Sequence, residues 1–316
     1  MSNGHTAVSE FLENKVRFAD LFNGSLFQGQ QIVKPEELEA IKGESDILVE
    51  DKAQKIKNVH RYRDIVMRWN KDAYLAIFAC EVQSKVHYAM PVRKMLYDAL
   101  AYLEQTKNTW EMRQALGEEK ITGTEYLSKF HKEDKLTPII TAVFYYGVDE
   151  WDGSTDLYGM FEGDAFLQND IVKKYIPNYA INLIDAGRIE DVGCFQTELQ
   201  EIFGMLKYRQ DKDALLHYMN EHRDYFHSVD GGTSRAIAGL LQSRKMLKEF
   251  ETKTGTEGEE DMCKALDDLY QEGIEKGIEK GIEQERAHTE AEKRRADEAE
   301  AENAELRARL ARYENA

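Results

Sequence analysis

The sequence predicts a mixed α/β protein whose core runs helix, three strands, helix, strand, followed by an α-helical region and a C-terminal coiled-coil-like helix. Three observations carry this expectation. Apolar residues recur at helical spacing ahead of residue 23, β-branched and aromatic residues concentrate between residues 46 and 86 and again at 136–147, and beyond about Cys194 the apolar period is helical.

Taken in order, Phe11, Leu12, Val16, Phe18, Leu21 and Phe22 suit one amphipathic helix over residues 7–22, stopped near Asn23-Gly24. A loop with a short helix around Lys34-Pro35-Glu36-Glu37 leads to a brief strand at 46–50. Residues 58–69 (NVHRYRDIVMRW) read as the next strand, Asn70-Lys71-Asp72 as a turn, and residues 73–86 (AYLAIFACEVQSKV) as a strand buried on both faces, so the last two pair as a hairpin. Pro91 opens a helix reaching about residue 107, with Met95, Leu96, Leu100 and Leu103 in its buried stripe. A helical insertion at about 109–131 precedes a central strand at 136–147, and 177–186 reads as a further strand. Leu199, Ile202, Phe203 and Leu206, then Ile237, Leu240, Leu241, Met246 and Leu247, build the helical region. The expected domains are 1–190, 191–258 and a charged tail at 259–316.

The tail repeats a four-residue unit, GIEKGIEKGI, over residues 273–282. Further on, Ala296, Ala299, Asn303, Leu306, Leu310 and Tyr313 alternate in steps of three and four, a thin heptad seam. Two outcomes stay open: a homo-oligomer through this helix, or a solvated single helix held by charge pairs. Gly273, Gly277 and Gly281 each lower helix propensity by about 1 kcal/mol relative to alanine, which marks a hinge there.

Composition excludes several classes. No apolar run approaches the roughly 18 residues that span a bilayer, the N-terminus lacks a basic start followed by an apolar stretch, and a cytoplasmic location is expected with no membrane partner. Cys80, Cys194 and Cys263 have no paired spacing, so zinc and disulfide frameworks are not expected. The net charge of −17 disfavours nucleic acid at first sight. Its distribution does not. Between Lys52 and Lys94 ten basic residues face three acids, a window of +7 that leaves −24 for the rest of the chain.

Inside that window lies the candidate chemistry. Side chains alternate along a strand, so Glu81, Gln83 and Lys85 project from one face, and a register that brings Asp64 near Glu81 is allowed. Two carboxylates beside a backbone carbonyl are hard oxygen ligands of the kind Mg2+ takes, with Mn2+ as the substitute. Gln83 can orient water, and Lys85, about 6.6 Å further along for each pleat pair, can reach a phosphate. Arg61, Arg63, Arg93 and Lys94 are the candidate DNA contacts, and ordinary ion pairing to Asp64 or Glu81 is the bland alternative for these charges. Glu13 or Asp20 is a candidate further acid from the first helix, with capping or exposure as the other reading. His217, His222 and His227 step by about 140° around a helix and so do not share a ligand face. Gly231-Gly232-Thr233 suits a helix start without a phosphate-loop lysine. Tyr88, Tyr145 and Tyr146 are either base-stacking rings or core.

These residues carry a resemblance. An acid on one strand followed by acid, any residue and lysine on the next resembles the PD-(D/E)XK nuclease superfamily and its restriction-endonuclease-like core. More narrowly, RYRDIVMRW, FACEVQSKVHYAMPVRKMLYDALAYLEQ and LTPIITAVFYYG with Trp151 are similar to the Rpn family of recombination-promoting nucleases, often labelled transposases, and the GIEKGIEKGIE tail is similar to tails seen there. The resemblance covers most of residues 7–190. It implies Asp64 as the first acid, Glu81 as the second and Gln83 at the lysine position, a departure that the Rpn group shares. The function it implies is a Mg2+-dependent DNA endonuclease that promotes recombination. The alternatives are a non-catalytic DNA-binding or oligomerising module, and a strand-transferring transposase in which Asp156 or Asp185 completes three acids.

Overall fold

The computed structural model describes the chain apart from residues 1–2, 42–43, 51–55, 63–64, 70–72, 80–85, 118–120, 164–167, 253–258 and 315–316. It divides into two units, Met1–Asp261 and Met262–Ala316.

Asn14 splits the first predicted helix. Its side chain accepts from the N–H groups of Val16 (2.9 Å) and Arg17 (3.4 Å), an N-cap that ends α1 (Asn3–Leu12) and starts α2 (Lys15–Ser25). The strands that follow are β1 (Leu38–Ile41), β2 (Glu44–Glu50), β3 (Ile56–Tyr62), β4 (Ile65–Trp69) and β5 (Ala73–Ala79). The stretch expected as one strand over 58–69 is therefore two. β3 pairs antiparallel with β2 in a separate two-stranded sheet, whereas β4 enters the main sheet between β1 and β5. β4 is hydrogen-bonded along both edges, to β1 and β5, and its successive residues Ile65, Val66 and Met67 are all buried, as in a strand covered on both faces. β4 and β5 form the expected hairpin, with Ile65 opposite Ile77 and Trp69 opposite Ala73. Strand geometry in β5 is described to Ala79; the rest of the predicted strand, residues 80–85, lies outside the described residues, and Val86 is not in a strand.

A long helix, α3 (Met90–Ala115), and the short α4 (Gly123–Ser128) carry the chain to β6 (Ile139–Tyr145), and α5 (Asp170–Lys173) lies on the way to β7 (Asn182–Asp185). The five-stranded order is β1-β4-β5-β6-β7, with β5, β6 and β7 parallel. Ala142, Val143 and Phe144 on β6 are fully buried, as a central parallel strand should be. α3 corrects two expectations. It continues to Ala115 rather than ending near 107, and Met95, Leu96 and Leu103 point outward while Lys94 and Asp98 are buried. The inward polar groups are tolerated because each finds partners, described below.

The remaining helices are α6 (Leu199–Lys207), α7 (Lys212–Glu221), α8 (Arg223–Phe226), α9 (Gly231–Leu240) and α10 (Arg244–Thr252). Short strands β8 (Val229–Asp230) and β9 (Glu259–Glu260) pair antiparallel. α6 presses its apolar side on β6: Phe203 stands 6.0 Å from Phe144 and 5.1 Å from Phe195, ring centre to ring centre. Asp230 caps α9 through the N–H groups of Gly232 and Thr233, so the predicted Gly-Gly-Thr start is the helix's first turn. α11 (Met262–Glu314) stays helical through Gly273, Gly277 and Gly281, the predicted hinge. Among the described residues no helix is long and apolar enough to cross a membrane.

α1 crosses α9 where two glycines meet. A Cβ on Gly239 would lie 2.6 Å from the carbonyl oxygen of Gly4, and one on Gly4 would lie 3.3 Å from the Gly239 Cα. Backbone cannot yield as a side chain does. Gly239→Ala should therefore destabilise the protein by about 1–3 kcal/mol, the usual cost of overpacking, read as a lowered urea midpoint. An unchanged midpoint would contradict so close a crossing.

Candidate active site

The expected catalytic residues Asp64, Glu81, Gln83 and Lys85, and Arg63 beside them, lie outside the described residues. Their flanks do not. β4 begins at Ile65 opposite Ile77, and because the pair is antiparallel, the start of β4 and the end of β5 sit at the same edge of the sheet. Ala79, the last described residue of β5, is opposite Phe144 of the neighbouring parallel strand. On the far side of 80–85, Val86 packs against a cluster of Met90, Val143, Tyr145, Trp151 and Ile181. Both candidate segments thus depart from the carboxyl end of the parallel strands, where open α/β sheets place their ligand sites. Arg61 lies on β3 with its backbone opposite Ser45.

The loop after β6 builds the described wall of that edge. Trp151 Nε1 donates to the Gly153 carbonyl (2.9 Å), and Tyr145 Oη donates to the Asp149 carbonyl (2.7 Å). Tyr88 donates to Asp152 (3.2 Å), an acceptor that holds its phenol above the usual range. Of the three candidate stacking tyrosines, Tyr145 and Tyr146 are buried in the core, and Tyr88 is 64% exposed.

A second polar group gathers at the ends of β6 and β7. Arg188 reaches Asp185 (3.0 Å) and the Asp149 and Val148 carbonyls (3.2 and 3.0 Å). Arg209 donates to the carbonyls of Tyr146 and Gly147. Burial pushes the Asp185 carboxyl up, opposed by the positive charge of Arg188, and pushes the Arg209 guanidinium down, opposed by Asp185. Burial also raises the Tyr145 phenol, and Asp185 adds to it. Asp156, the other acid considered for a three-acid site, accepts from the Gly159 N–H (2.8 Å) and from Asn178 (3.0 Å), and these bonds lower its carboxyl. Among the described residues no group of three His, Cys, Asp or Glu is placed to hold a metal ion. The three histidines at 217, 222 and 227 have separate partners in Glu221, the Tyr218 carbonyl and Asp261. Asp20 is buried and accepts from Gln196 N, Thr197 N and Thr197 Oγ1 at 2.6–3.0 Å, holding the approach to α6.

Arg93 and Lys94 occupy the start of α3 and differ sharply. Arg93, half-buried, donates to Tyr97 Oη (3.0 Å). Lys94 Nζ is 2.9 Å from Asp98 Oδ2 and 4.4 Å from the Tyr179 ring centre, with 6% of the residue exposed. A phosphate contact from Lys94 would require it to leave that partner. Asp98 also accepts from Thr141 Oγ1 on β6 (2.7 Å) and from Tyr179 Oη. Further along the same face, Ile139 N donates to Tyr102 Oη (3.1 Å), and Gln105 exchanges two hydrogen bonds with the backbone of Thr137 (2.7 and 3.1 Å). This polar seam was missed in the sequence; only the four-residue step from Lys94 to Asp98 hints at it.

Removing the Asp98 carboxylate would strand a buried ammonium. Asp98→Ala is expected to cost about 3–5 kcal/mol of stability, whereas Lys94→Met with Asp98→Leu should recover most of it, measured by urea denaturation of the full chain. Equal loss in both variants would show that the charge pair is not what matters.

No curated protein matches the chain, and no solved structure matches it. A family model described as "Putative transposase, YhgA-like" matches residues 5–233, which takes in both candidate segments, the five-stranded sheet and the helices through the start of α9. The chain therefore belongs to the family of YhgA-like putative transposases.

Proposed function

We propose that this family member is a metal-dependent DNA endonuclease of the PD-(D/E)XK type, with its site on the segments that carry Asp64 and Glu81. The observation that carries the reading is the convergence of the start of β4 and the end of β5 on one sheet edge. Within the main sheet and its helices the chain order α2, β1, β4, β5, α3, β6, interrupted by the separate β2–β3 pair, supports a helix, three strands, helix, strand core, with β5 and β6 parallel. Family membership supports a role on DNA, and the basic window around both segments supports phosphate attraction.

The carboxylates of Asp64 and Glu81 are hard oxygen donors and fit Mg2+ by the chemistry of the set. Such an ion, when bound, supplies Lewis acidity at the phosphate and lowers the pKa of water. The chain's own residues do the rest. Gln83 orients the attacking water through its amide, and Lys85 offsets the negative charge on the non-bridging phosphoryl oxygens as the water oxygen bonds to phosphorus and the bond to the leaving ester oxygen breaks. Arg61, Arg63 and Arg93 attract the DNA backbone, while Lys94 serves α3. The reading sets one structural requirement. With Ile65 opposite Ile77, a strictly regular ladder would assign Asp64 and Glu81 to opposite faces, so the site needs a one-residue offset such as a β-bulge between the two segments.

Supercoiled plasmid incubated with the full chain and Mg2+ or Mn2+ is expected to be nicked, with activity lost in EDTA. Asp64→Ala and Glu81→Ala should each lower the rate by on the order of 100-fold or more, as loss of a metal ligand or its charge does. DNA binding without nicking in wild type would favour a non-catalytic binding module, and joined rather than cut ends would favour strand transfer.

A further inference from the structure

Residues 86–88 leave the candidate segment 80–85 and lead into α3, and the loop after β6 receives them. A Cβ on Gly153 would lie 2.9 Å from Val86 Cγ1 and 3.3 Å from Tyr88 Cδ1, so the absent side chain at position 153 makes room for both. The Tyr88 ring is thereby held at two places, its edge against Gly153 and its Oη by the Asp152 carboxylate (3.2 Å). Yet 64% of the residue stays exposed. An aromatic side chain gains stability by burying its ring, as Tyr145 does. Tyr88 is fixed in place without that gain.

Five residues on, the first turn of α3 carries Arg93. Its Nε donates to Tyr97 Oη (3.0 Å), and its guanidinium carbon stands 5.4 Å from the Tyr97 ring centre, which fixes the group. Among the described residues its two Nη groups have no acceptor. On the other side of Tyr88, the loop residues Asp149, Glu150 and Asp152 are exposed acids that repel phosphate. Charge therefore directs a strand's backbone toward Arg93 and leaves only an uncharged base to meet the ring.

We propose that Tyr88 and Arg93 form a nucleotide subsite for unpaired DNA, in which an unstacked base lies on the Tyr88 ring and Arg93 takes a phosphate of the same strand. The proposal rests on the nuclease reading of the adjoining segments and names its substrate class. Inside a duplex each base face is covered by its neighbours, so an open, fixed ring has no base to stack on until a nucleotide is unpaired. A single strand, a flap or a bulge supplies one. Every base offers a π face, so such a subsite selects unpaired DNA without selecting sequence.

Fluorescence anisotropy of the full chain with a labelled oligonucleotide, single-stranded or paired with its complement, reads binding apart from cleavage when EDTA is present. The single strand is expected to bind on the order of 10-fold tighter than the duplex. Tyr88→Leu, which keeps bulk and loses the ring, should weaken single-strand binding by about 5-fold or more and leave duplex binding unchanged. Tyr88→Phe, which loses the bond to Asp152 and keeps the ring, should bind as wild type; a merely structural tether would make these two variants alike. Arg93→Gln should weaken single-strand binding and make the slope of log affinity against log salt shallower by about 0.7. Equal binding of the two DNAs by wild type overturns the proposal, and so does a single-strand preference that survives Tyr88→Leu. The expected pattern in a chain that never nicks plasmid would support the subsite and sink the nuclease reading.

Discussion

The carboxylate of Asp98 is the constraint on which the placement of α3 depends. It accepts from Lys94 in its own helix, from Thr141 on the central strand and from Tyr179 in the chain leading to β7. A buried charge is costly unless it is paired and hydrogen-bonded, and here three donors meet that condition. Such a network adds less to net stability than an apolar seam of equal size, yet it tolerates few alternative registers. Tyr102 and Gln105 repeat the arrangement one and two turns on, so helix and strand are aligned over most of their shared length. The start of α3, and with it the exit from residues 80–85, is held where the sheet edge needs it.

That seam also explains why Met95, Leu96 and Leu103 were expected inside, although of the predicted stripe Leu100 is the one that is buried. Period identifies a stripe of Met95, Leu96 and Leu103 correctly, but which side of a helix turns inward is decided by the partners of the polar side. Those partners lie 43 and 81 residues away from Asp98 in the chain, beyond any local pattern. The central strand was legible for the converse reason. Burial on both faces leaves residues 139–145 a nearly unbroken apolar run, which needs no long-range knowledge. Asn14 lies between Glu13 and Lys15, where the sequence gives it no distinction, and its capping role appears with the geometry. The division between β3 and β4 escaped notice because no turn residue such as Gly or Pro separates them, and the choice of sheet is made by pairing with β2 on one side and with β1 and β5 on the other. For the candidate site, residue types and spacing were readable, as was the hairpin that brings their flanks together. Register between the two acids was not, because one residue of offset reverses every face.

The sheet edge brings together features that a DNA-processing enzyme of this family could use. Two acid-bearing segments depart there, Arg93 lies on the first turn of the adjoining helix, and Tyr88 presents an open ring tethered by Asp152. Beside them, Arg188 and Arg209 direct their hydrogen bonds to backbone carbonyls and Asp185, which makes them structural props of the loop after β6. The overall acidity of the chain is then compatible with DNA binding, since positions 52–94 carry a net charge of +7.

The grip of Arg209 on the carbonyls of Tyr146 and Gly147 has company: Asp20 holds Thr197, Arg17 holds Glu198, and Gln242 donates to Tyr146. All four links tie the strand-bearing half of the chain to residues beyond 190. A shortened relative that ended after β7 would have to find new donors for those carbonyls and new acceptors for Arg17. Evolution can trade the loops of this protein more cheaply than it can separate its two halves, and fragments made by proteases or by gene truncation should inherit that dependence as a loss of cooperativity.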